Sequence, residues 1–219
     1  CKVISAISND LDGSVPALEA ARAAGLPYVS FLTTIRNANN YDKFIYIGSQ
    51  NYDAGALQGD FLVKALPENA QIIYFTGAPN DQQYIDRKAG LMDKLAARTD
   101  VKILAEYNVD NKKDLGMSTA EDCLQAFEHF DAIVCQNDDS ALGVVEALKS
   151  ANKLEGVITV GLDGSAAALT SIAAGELTMS VLQDAKAQAQ AGADVFAQIR
   201  DGVDPATIAD VLVPFATIT

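Results

Sequence analysis

An almost strict alternation of short apolar runs and longer amphipathic segments is the feature that most limits how this chain can fold. The short runs are rich in β-branched and aromatic residues, which predicts strands, and the longer segments place apolar residues at helical spacing. Strands that alternate with helices form βαβ units, whose right-handed crossovers require a mostly parallel sheet. The sequence therefore predicts an α/β protein in which parallel sheets are flanked by helices.

The order of these segments is regular from one end of the chain to the other. The predicted strands comprise residues 3–7, 27–32, 44–47, 71–75, 101–107, 132–135, 157–160, 178–182 and 211–219. The predicted helices comprise residues 15–24, 52–65, 82–97, 115–127, 140–151, 166–174 and 185–199. No Gly/Ser-rich linker interrupts the pattern, so a second lobe would require the chain to cross back and forth between lobes.

The charge balance argues against nucleic acid as a partner. The chain of 219 residues has 29 acidic and 16 basic residues, for a formal net charge of −13. A surface of this sign repels phosphate backbones. No apolar run reaches the roughly 20 residues that a membrane helix needs. The length suits one large domain or two smaller lobes.

Residue types that build common catalytic and cofactor sites are sparse. His129 is the single histidine of the sequence, and its position at a predicted helix end is typical of a surface residue. Glycine-rich phosphate loops and C-x-x-C pairs do not occur. Cys123 and Cys135 are expected to be small buried apolar side chains. Because no nucleophile and base are paired, we expect no cofactor and no enzymatic activity.

One segment nearly matches the spacing of a calcium-binding loop. Its matching positions are Ser8, Asp10, Asp12, Gly13 and Glu19. A strand precedes the segment instead of a helix, a serine replaces the first aspartate, and a proline falls inside the loop. We therefore expect an ordinary turn from strand to helix, capped by Asp10 or Asp12, and no metal site.

Polar side chains follow several predicted strands at the points where those strands end. Asn137 follows the strand 132–135, Asp163 follows the strand 157–160, and Gln183 follows the strand 178–182. Arg87 lies on the helix that follows the strand 71–75. Ligands of open α/β sheets bind beyond the carboxyl ends of the strands. A carboxylate, two amides and a guanidinium suit a hydroxyl-rich ligand, because they supply both acceptors and planar pairs of donors.

Simpler interpretations of these residues stay open. Asp138 or Asp139 is expected to cap the helix that follows, which would leave Asn137 to face a ligand. Asp163 also fits an ordinary turn aspartate, and Arg87 also fits a surface salt bridge.

Three short segments together resemble the sugar-type periplasmic binding protein family, the ribose-binding-like solute receptors of ABC transporters. The segment QNDDSALG at 136–143 is similar to a QND-x-x-ALG segment of that family. The segment GLDG at 161–164 resembles its G-F-D-G turn, and DRKAGL at 86–91 resembles its E-R-x-x-G-F helix. The resemblance runs along the whole chain, and it implies a two-lobed type I fold with a parallel sheet in each lobe.

The resemblance also implies how the lobes divide. Residues 1–49 and 184–214 would form the N-terminal-type lobe, and residues 50–183 and 215–219 the C-terminal-type lobe. Members of the family open with a further strand–helix–strand–helix section, so we expect roughly 60 residues of the first lobe to be absent here, at about 30 residues per βαβ unit. The sheet of that lobe would then have an open edge, which allows pairing with a second copy as a homodimer.

The same resemblance implies ligand-binding roles for Arg87, Asn137, Asp163 and Gln183. The chain departs from the family elsewhere. Leu32 and Thr33 stand where the family usually has Asp-Arg, and a residue near Asn111 replaces an aromatic that stacks on the sugar. Thr33 and Asn111 are therefore further candidates for ligand contact. These departures argue against a pentose or hexose in the usual pose and leave open a different small polar ligand, such as a modified sugar, a polyol or a signalling molecule.

The resulting expectation is an exported, non-enzymatic receptor that binds a small sugar-like ligand between its lobes and docks on the membrane permease of an ABC importer. The alternative is the effector-binding core of a LacI-type transcription regulator, or a periplasmic sensor domain. Both have the same fold, and the sequence flanking this chain in its gene would separate the three.

Overall fold

The structure is a computed structural model that describes residues 2–7, 11–78 and 81–219. It divides into two compact units. The first unit comprises the chain up to Gln50 together with Asp184–Pro214, and the second comprises Asn51–Gln183 together with Phe215–Thr219. No helix in the described part of the chain is long and apolar enough to cross a membrane.

The first unit contains a four-stranded parallel sheet. Its strands are β1 (Ile4–Ile7), β2 (Tyr28–Phe31), β3 (Phe44–Gly48) and β9 (Val211–Leu212), adjacent in the order β1-β2-β3-β9. Two helices, α1 (Val15–Ala23) and α7 (Ala185–Arg200), belong to the same unit. Separate apolar clusters form around them: Leu18 of α1 packs with Tyr28, and Val195 of α7 packs with Ile45 and Ile47. The alternation of β3 side chains between two faces therefore gives the sheet a helix on each side.

The second unit contains a six-stranded sheet in the order β10-β8-β7-β6-β4-β5. Its strands are β4 (Gln71–Thr76), β5 (Lys102–Asn108), β6 (Ala132–Cys135), β7 (Ile158–Asp163), β8 (Met179–Leu182) and β10 (Ala216–Ile218). Its helices are α2 (Asn51–Ala65), α3 (Gln82–Leu95), α4 (Lys113–Ala126), α5 (Asp138–Ser150) and α6 (Ala166–Ala173). All strand pairs are parallel except that of β10 with β8.

The core of the second unit lies on both faces of its sheet. On one face Ile133 of β6 packs with α4 and α5 residues, and on the other Val134 packs with α2 and α3 residues. Every residue of β6 is buried, as expected for a central strand of a parallel sheet that is covered on both sides. The predicted strand and helix alternation is confirmed, with boundaries that shift by one to three residues.

Helices α2 and α3 approach each other closely because small residues lie at their contact. A Cβ atom added at Gly90 would lie 2.0 Å from the carbonyl oxygen of Tyr52, so no larger residue fits there. This close approach sets the side chain of Arg87 on α3 against the start of α2, where its Nε donates to Asn51 Oδ1 at 3.0 Å.

The prediction of one strand over residues 211–219 is wrong. The segment forms β9 in the first unit and the antiparallel β10 in the second, and Pro214 lies between them. Proline has no N–H to donate to a sheet and restricts the residue before it, so a strand is interrupted there.

The predicted cap role of Asp12 is also wrong. Ser14 occupies the N-cap position of α1, and the Asp12 carboxylate instead pairs with the Arg36 guanidinium, with 2.9 Å between Oδ2 and Nη2. Of the other acidic or hydroxyl positions of the calcium-like spacing, Ser8 and Asp10 lie outside the described residues and Glu19 lies in α1. Within the described ranges no group of three His, Cys, Asp or Glu side chains could hold a metal ion.

Both described cysteines are buried and free, as predicted for small apolar side chains. Cys123 of α4 and Cys135 of β6 belong to the same apolar cluster. Burial raises the pKa of the Cys123 thiol to about 11. At neutral pH this thiol is therefore protonated and inert.

Candidate functional site

Polar side chains of the second unit meet at the carboxyl ends of β4, β6 and β7. The centre of this cluster is Arg87, whose side chain is almost entirely buried, at 3% exposure. Its Nη1 donates to the carbonyl oxygen of Gln136 at 3.0 Å, and its Nε donates to Asn51. Its guanidinium carbon lies 5.6 Å from the centre of the Tyr84 ring. Arg87 is therefore a buried cation held by fixed partners, and the interpretation as a surface salt bridge is wrong.

Asp163 ends β7, and its carboxyl lies near enough to this cation for the two charges to influence each other, although they form no direct ion pair. Its φ of +129° lies in the region that residues with side chains rarely adopt, and Gly164 follows with a φ of +68°. Strained backbone of this kind costs about 1–3 kcal/mol and is concentrated at functional sites. The parallel pairing of β7 with β8 continues here, since the Gln183 N–H donates to the Asp163 carbonyl oxygen at 3.0 Å and the end of β8 therefore lies beside Asp163.

Burial raises the pKa of the Asp163 carboxyl to about 7. The positive charge of Arg87 opposes this rise, and the negative charge of Asp138 adds to it. Burial likewise lowers the pKa of Arg87, while Asp163 opposes that change. An arginine side chain nevertheless stays protonated at any physiological pH. The cluster thus presents a fixed positive charge beside a carboxyl group that exchanges its proton near neutral pH.

The helix cap at the end of β6 differs from the prediction. Asn137, and neither Asp138 nor Asp139, occupies the N-cap position of α5, where its Oδ1 accepts from the Ser140 N–H at 3.2 Å. Its Nδ2 donates to the carbonyl oxygen of Asn111 at 3.0 Å. The prediction that a following aspartate would cap the helix and leave Asn137 unengaged is wrong.

Asp138 is buried beneath the cluster, at 1% exposure. Its carboxylate accepts from the Ser165 N–H at 2.7 Å and from Ser180 Oγ at 2.6 Å. These bonds connect the start of α5 with the start of α6 and with β8. A buried carboxylate needs such hydrogen-bond donors, and through them Asp138 holds the segment after β7 and the strand β8 in place.

Asn111 lies at the edge of the cluster in a left-handed conformation, with a φ of +56°. Its Nδ2 donates to the Tyr84 hydroxyl, and its carbonyl oxygen accepts from Asn137. Its Oδ1 is buried and has no hydrogen-bond partner among the described residues. A buried acceptor without a partner is costly, so this oxygen is suited to accept a hydrogen bond from a ligand.

Sequence reasoning missed Tyr84 and Gln136 as members of the cluster. The Gln136 side chain donates to the Tyr74 hydroxyl and to the carbonyl oxygen of Tyr84, 3.0 Å away in the latter case. Tyr84 precedes Arg87 by three residues, a spacing that places both on one face of a helix, and this signal was available in the sequence.

Thr33 belongs to the first unit. It is buried, its N–H donates to the carbonyl oxygen of Phe31 at 2.7 Å, and its own carbonyl oxygen accepts from Ser30 Oγ at 2.7 Å. Leu32 before it has a φ of +66°, and its carbonyl oxygen accepts from the Tyr46 hydroxyl at 2.9 Å. The backbone contacts therefore fix the end of β2.

A surface cavity of about 610 Å³ lies elsewhere in the second unit, next to the end of α4 and the segment before β7. It includes His129, whose Nε2 lies 3.0 Å from Asp131 Oδ1 and whose side chain is 63% exposed. The prediction of a surface histidine is confirmed. None of the cluster residues described above lines this cavity.

Comparison with known proteins identifies the family. The family model for the periplasmic binding protein domain matches residues 1–203. The putative rhizopine-binding protein of Rhizobium meliloti is 29% identical over 96% of this chain and 69% of its own length. The ribose import binding protein of Salmonella typhimurium is 28% identical over 83% of this chain, which spans 60% of that protein.

Solved structures agree with this result. An ABC transporter solute binding protein from Bacillus halodurans with bound myo-inositol superimposes with a TM-score of 0.92 at 26% identity, over all of this chain and 74% of the other. This similarity confirms the predicted type I fold with parallel sheets flanked by helices. The chain belongs to the periplasmic binding protein domain family, in the ribose-binding-like group that its segments at 86–91, 136–143 and 161–164 predicted.

Proposed function

We propose that this chain is the solute-binding receptor of an ABC importer and that its ligand is a small polyhydroxylated molecule, a sugar or a polyol. The observation that carries the proposal is that the buried guanidinium of Arg87 and the half-buried carboxyl of Asp163 lie near enough at the carboxyl ends of the strands of the second unit for each charge to influence the pKa of the other group. Burying a charge costs free energy, and adjacent hydroxyl groups of a ligand can hydrogen-bond with both a guanidinium and a carboxylate.

The cluster also has the polarity that a sugar or polyol requires. Asp163 supplies an acceptor, Arg87 supplies donors, and the unpartnered Oδ1 of Asn111 supplies a second acceptor. Asn137 holds Asn111 in place through its Nδ2. In this proposal Gln183 and Thr33 contribute further contacts, as the resemblance to ribose-binding-like receptors implied.

The relatives support the same ligand class. The names of two of them refer to ribose import and to myo-inositol binding, and both ligands carry several adjacent hydroxyl groups. Receptors of importers act outside the cytoplasmic membrane and transfer their ligand to a permease. The proposal therefore includes export to the periplasm or cell surface and a membrane permease as partner.

The test is a thermal-unfolding screen with myo-inositol, D-ribose, D-apiose and xylitol, on this chain and in parallel on the complete product of its gene. A true ligand at 100-fold excess over its Kd should stabilise the folded protein by about 2.7 kcal/mol. We expect one member of the panel to do so, and Asp163→Ala to abolish the shift.

Arg200→Gln serves as the control, because this exposed arginine pairs with Asp201 on the surface of the first unit. It should respond to the ligand as the unchanged protein does. If no polyol stabilises either protein while a phosphorylated or nucleotide effector does, the receptor proposal is wrong.

A further inference from the structure

The helix α2 buries a glutamine in the middle of its apolar stripe. Ala54, Gln58 and Leu62 recur at intervals of four residues, and all three are fully buried against the sheet of the second unit. Helical spacing of this kind predicts an apolar residue at the central position. Burying an amide without hydrogen bonds costs about 1–3 kcal/mol, so Gln58 requires hydrogen-bond partners at this position.

Those partners are two backbone carbonyl groups on adjacent strands. Gln58 Nε2 donates to the carbonyl oxygen of Cys135 on β6 at 2.9 Å and to that of Gly161 on β7 at 2.9 Å. The orientation of the amide follows from these acceptors, since reversing it would place an oxygen against two oxygens. Its Oε1 has no hydrogen-bond partner among the described residues.

The bridge lies where the two strands stop pairing with each other. The register of β6 with β7 runs from Ala132 and Ile158 to Val134 and Val160. The next residues, Cys135 and Gly161, continue their pairing with other strands, β4 and β8 respectively. The two hydrogen bonds of Gln58 therefore connect β6 and β7 at the point where the backbone hydrogen bonds between these strands end.

Each bridged residue stands two positions before a residue of the candidate ligand site. Cys135 precedes Asn137, and Gly161 precedes Asp163. A Cβ atom at Gly161 would lie 2.4 Å from Asp138 Oδ1, so the same strand end is also confined on the face opposite Gln58. A change in the spacing of the two carbonyl groups would move Asn137 and Asp163 relative to each other.

We propose that Gln58 is a positioning residue, which sets the separation of the β6 and β7 ends and thereby the distance between Asn137 and the Asp163 carboxyl. The role in ligand affinity rests on the proposed function, but the geometric role does not. Binding sites depend on supporting residues that hold the contacting groups in place, and a site that loses such support becomes too loose to bind well.

The first measurement needs no ligand. The titration of the Asp163 carboxyl is followed by ¹³C NMR in the unchanged protein and in Gln58→Met, which keeps the length of the side chain but removes both donors. If the strand ends relax and admit water, the titration midpoint of Asp163 should fall by about half a pH unit or more toward its ordinary range.

The matched control is Leu66→Ala, directly after the last residue of the same helix, where Leu66 is 6% exposed in the apolar core. This variant lowers stability but removes no hydrogen bond to β6 or β7, so its Asp163 midpoint should equal that of the unchanged protein. If Gln58→Met does not fold, Gln58→Asn replaces it, since its amide is one methylene too short to reach both carbonyl groups and should give a shift in the same direction.

The second measurement is calorimetric titration of the same variants with myo-inositol and D-ribose. We expect Gln58→Met to weaken binding roughly tenfold, which corresponds to one or two lost hydrogen bonds, and Leu66→Ala to bind as the unchanged protein does. An unchanged Asp163 midpoint together with unchanged affinity would overturn the positioning role. If no variant, including the unchanged protein, binds either compound, the proposed function fails, and the Asp163 midpoint still decides the role of Gln58.

Discussion

The two units hold their strand ends by different means. In the described part of the first unit the buried polar residues are all neutral: Ser30, Thr33, Ser49 and Gln188. In the second unit the ionisable residues Asp81, Arg87 and Asp138 are buried, and Asp163 is half-buried. Among the described residues, buried ionisable side chains therefore occur in the second unit, whereas the polar side chains buried in the first unit are neutral.

In the first unit, the ends of β2 and β3 are fixed by short hydrogen bonds from neutral side chains to backbone carbonyl oxygens. Ser30 Oγ donates to the Thr33 carbonyl oxygen, and the Tyr46 hydroxyl lies 2.9 Å from the Leu32 carbonyl oxygen and 3.1 Å from that of Ser49. Hydrogen bonds between such neutral groups do not change with pH near neutrality. The strand ends of the second unit do change with pH, because their energy depends on the protonation of Asp163.

The largest difference in stability between the strand ends of the two units is expected from Arg87→Met in the second unit. The substitution removes the counter-charge of Asp163 and leaves the Gln136 carbonyl oxygen and Asn51 Oδ1 without their donor. Leaving a buried acceptor without its donor costs about 1–3 kcal/mol for each group, so the free energy of unfolding should fall by about 2–6 kcal/mol in chemical denaturation.

Arg200→Met is the control for this variant. The Arg200 side chain is 71% exposed and pairs only at the surface with Asp201, so the free energy of unfolding should change by no more than about 0.5 kcal/mol. Equal losses of unfolding free energy in Arg87→Met and Arg200→Met would show that the buried contacts of Arg87 contribute no more to stability than an exposed ion pair does.

An intermediate effect is expected from Asp163→Asn, and it depends on pH. The folded protein raises the pKa of Asp163 from its ordinary value near 3.8 to about 7. Between these values the folded state keeps a proton that the unfolded chain has released. The stability that this bound proton contributes is therefore fully present below about pH 4 and is lost as the pH rises to 7. Between these pH values the free energy of unfolding falls by at most about 1.4 kcal/mol per pH unit.

Asparagine does not titrate, so the variant should lack this decline. The free energy of unfolding is measured from pH 4 to 8 for both proteins, and their difference should shift steadily in favour of the variant as the pH rises. Asp201→Asn, at an exposed position of the first unit, should follow the unchanged protein. Parallel profiles for Asp163→Asn and the unchanged protein would contradict the raised pKa.

The smallest effect is expected from Ser30→Ala in the first unit. The substitution removes the fully buried donor to the Thr33 carbonyl oxygen and should lower the free energy of unfolding by about 1 kcal/mol. Because no charge is involved, the loss should be the same at pH 5 and pH 8, as measured by denaturation at each pH.

Thr170→Ala is the matched control, since Thr170 makes a comparable hydroxyl bond, to the Ala166 carbonyl oxygen, at an exposed position. Its loss should stay within about 0.5 kcal/mol. A pH-dependent loss in Ser30→Ala would remove the distinction between a neutral and a charged strand end.

Local periodicity explains why the sequence predicted most of the elements. The strand at 132–135 and the helix from 185 onward were predicted within one residue, because apolar runs and helical spacing are properties of neighbouring residues. Turn signals such as Gly175, whose φ is +72°, also act locally. Arg87 and Asp163 were predicted to lie at the same edge of the sheet because both follow predicted parallel strands, and the resemblance to a known family added their expected ligand-binding roles.

The roles within the cluster could not be predicted from local pattern. Asn137, Asp138 and Asp139 are equally plausible caps by residue type. Asn137 became the cap because the Asp138 carboxylate is taken by Ser165 and Ser180, which are distant in sequence and near in space. Local pattern also predicted one strand over 211–219, whereas the resemblance placed a lobe boundary after residue 214, and in the structure the two halves join different sheets.

By itself, the sequence determined the α/β class, the order of strands and helices and the polar residues that follow the strands. The tertiary structure alone decided which of these residues are buried, which hold one another and how Gln58 bridges β6 and β7. The physical reason is that strand and helix formation follow from the spacing of residues along the chain, whereas hydrogen bonding and the pKa of a buried carboxyl depend on neighbours that only folding supplies.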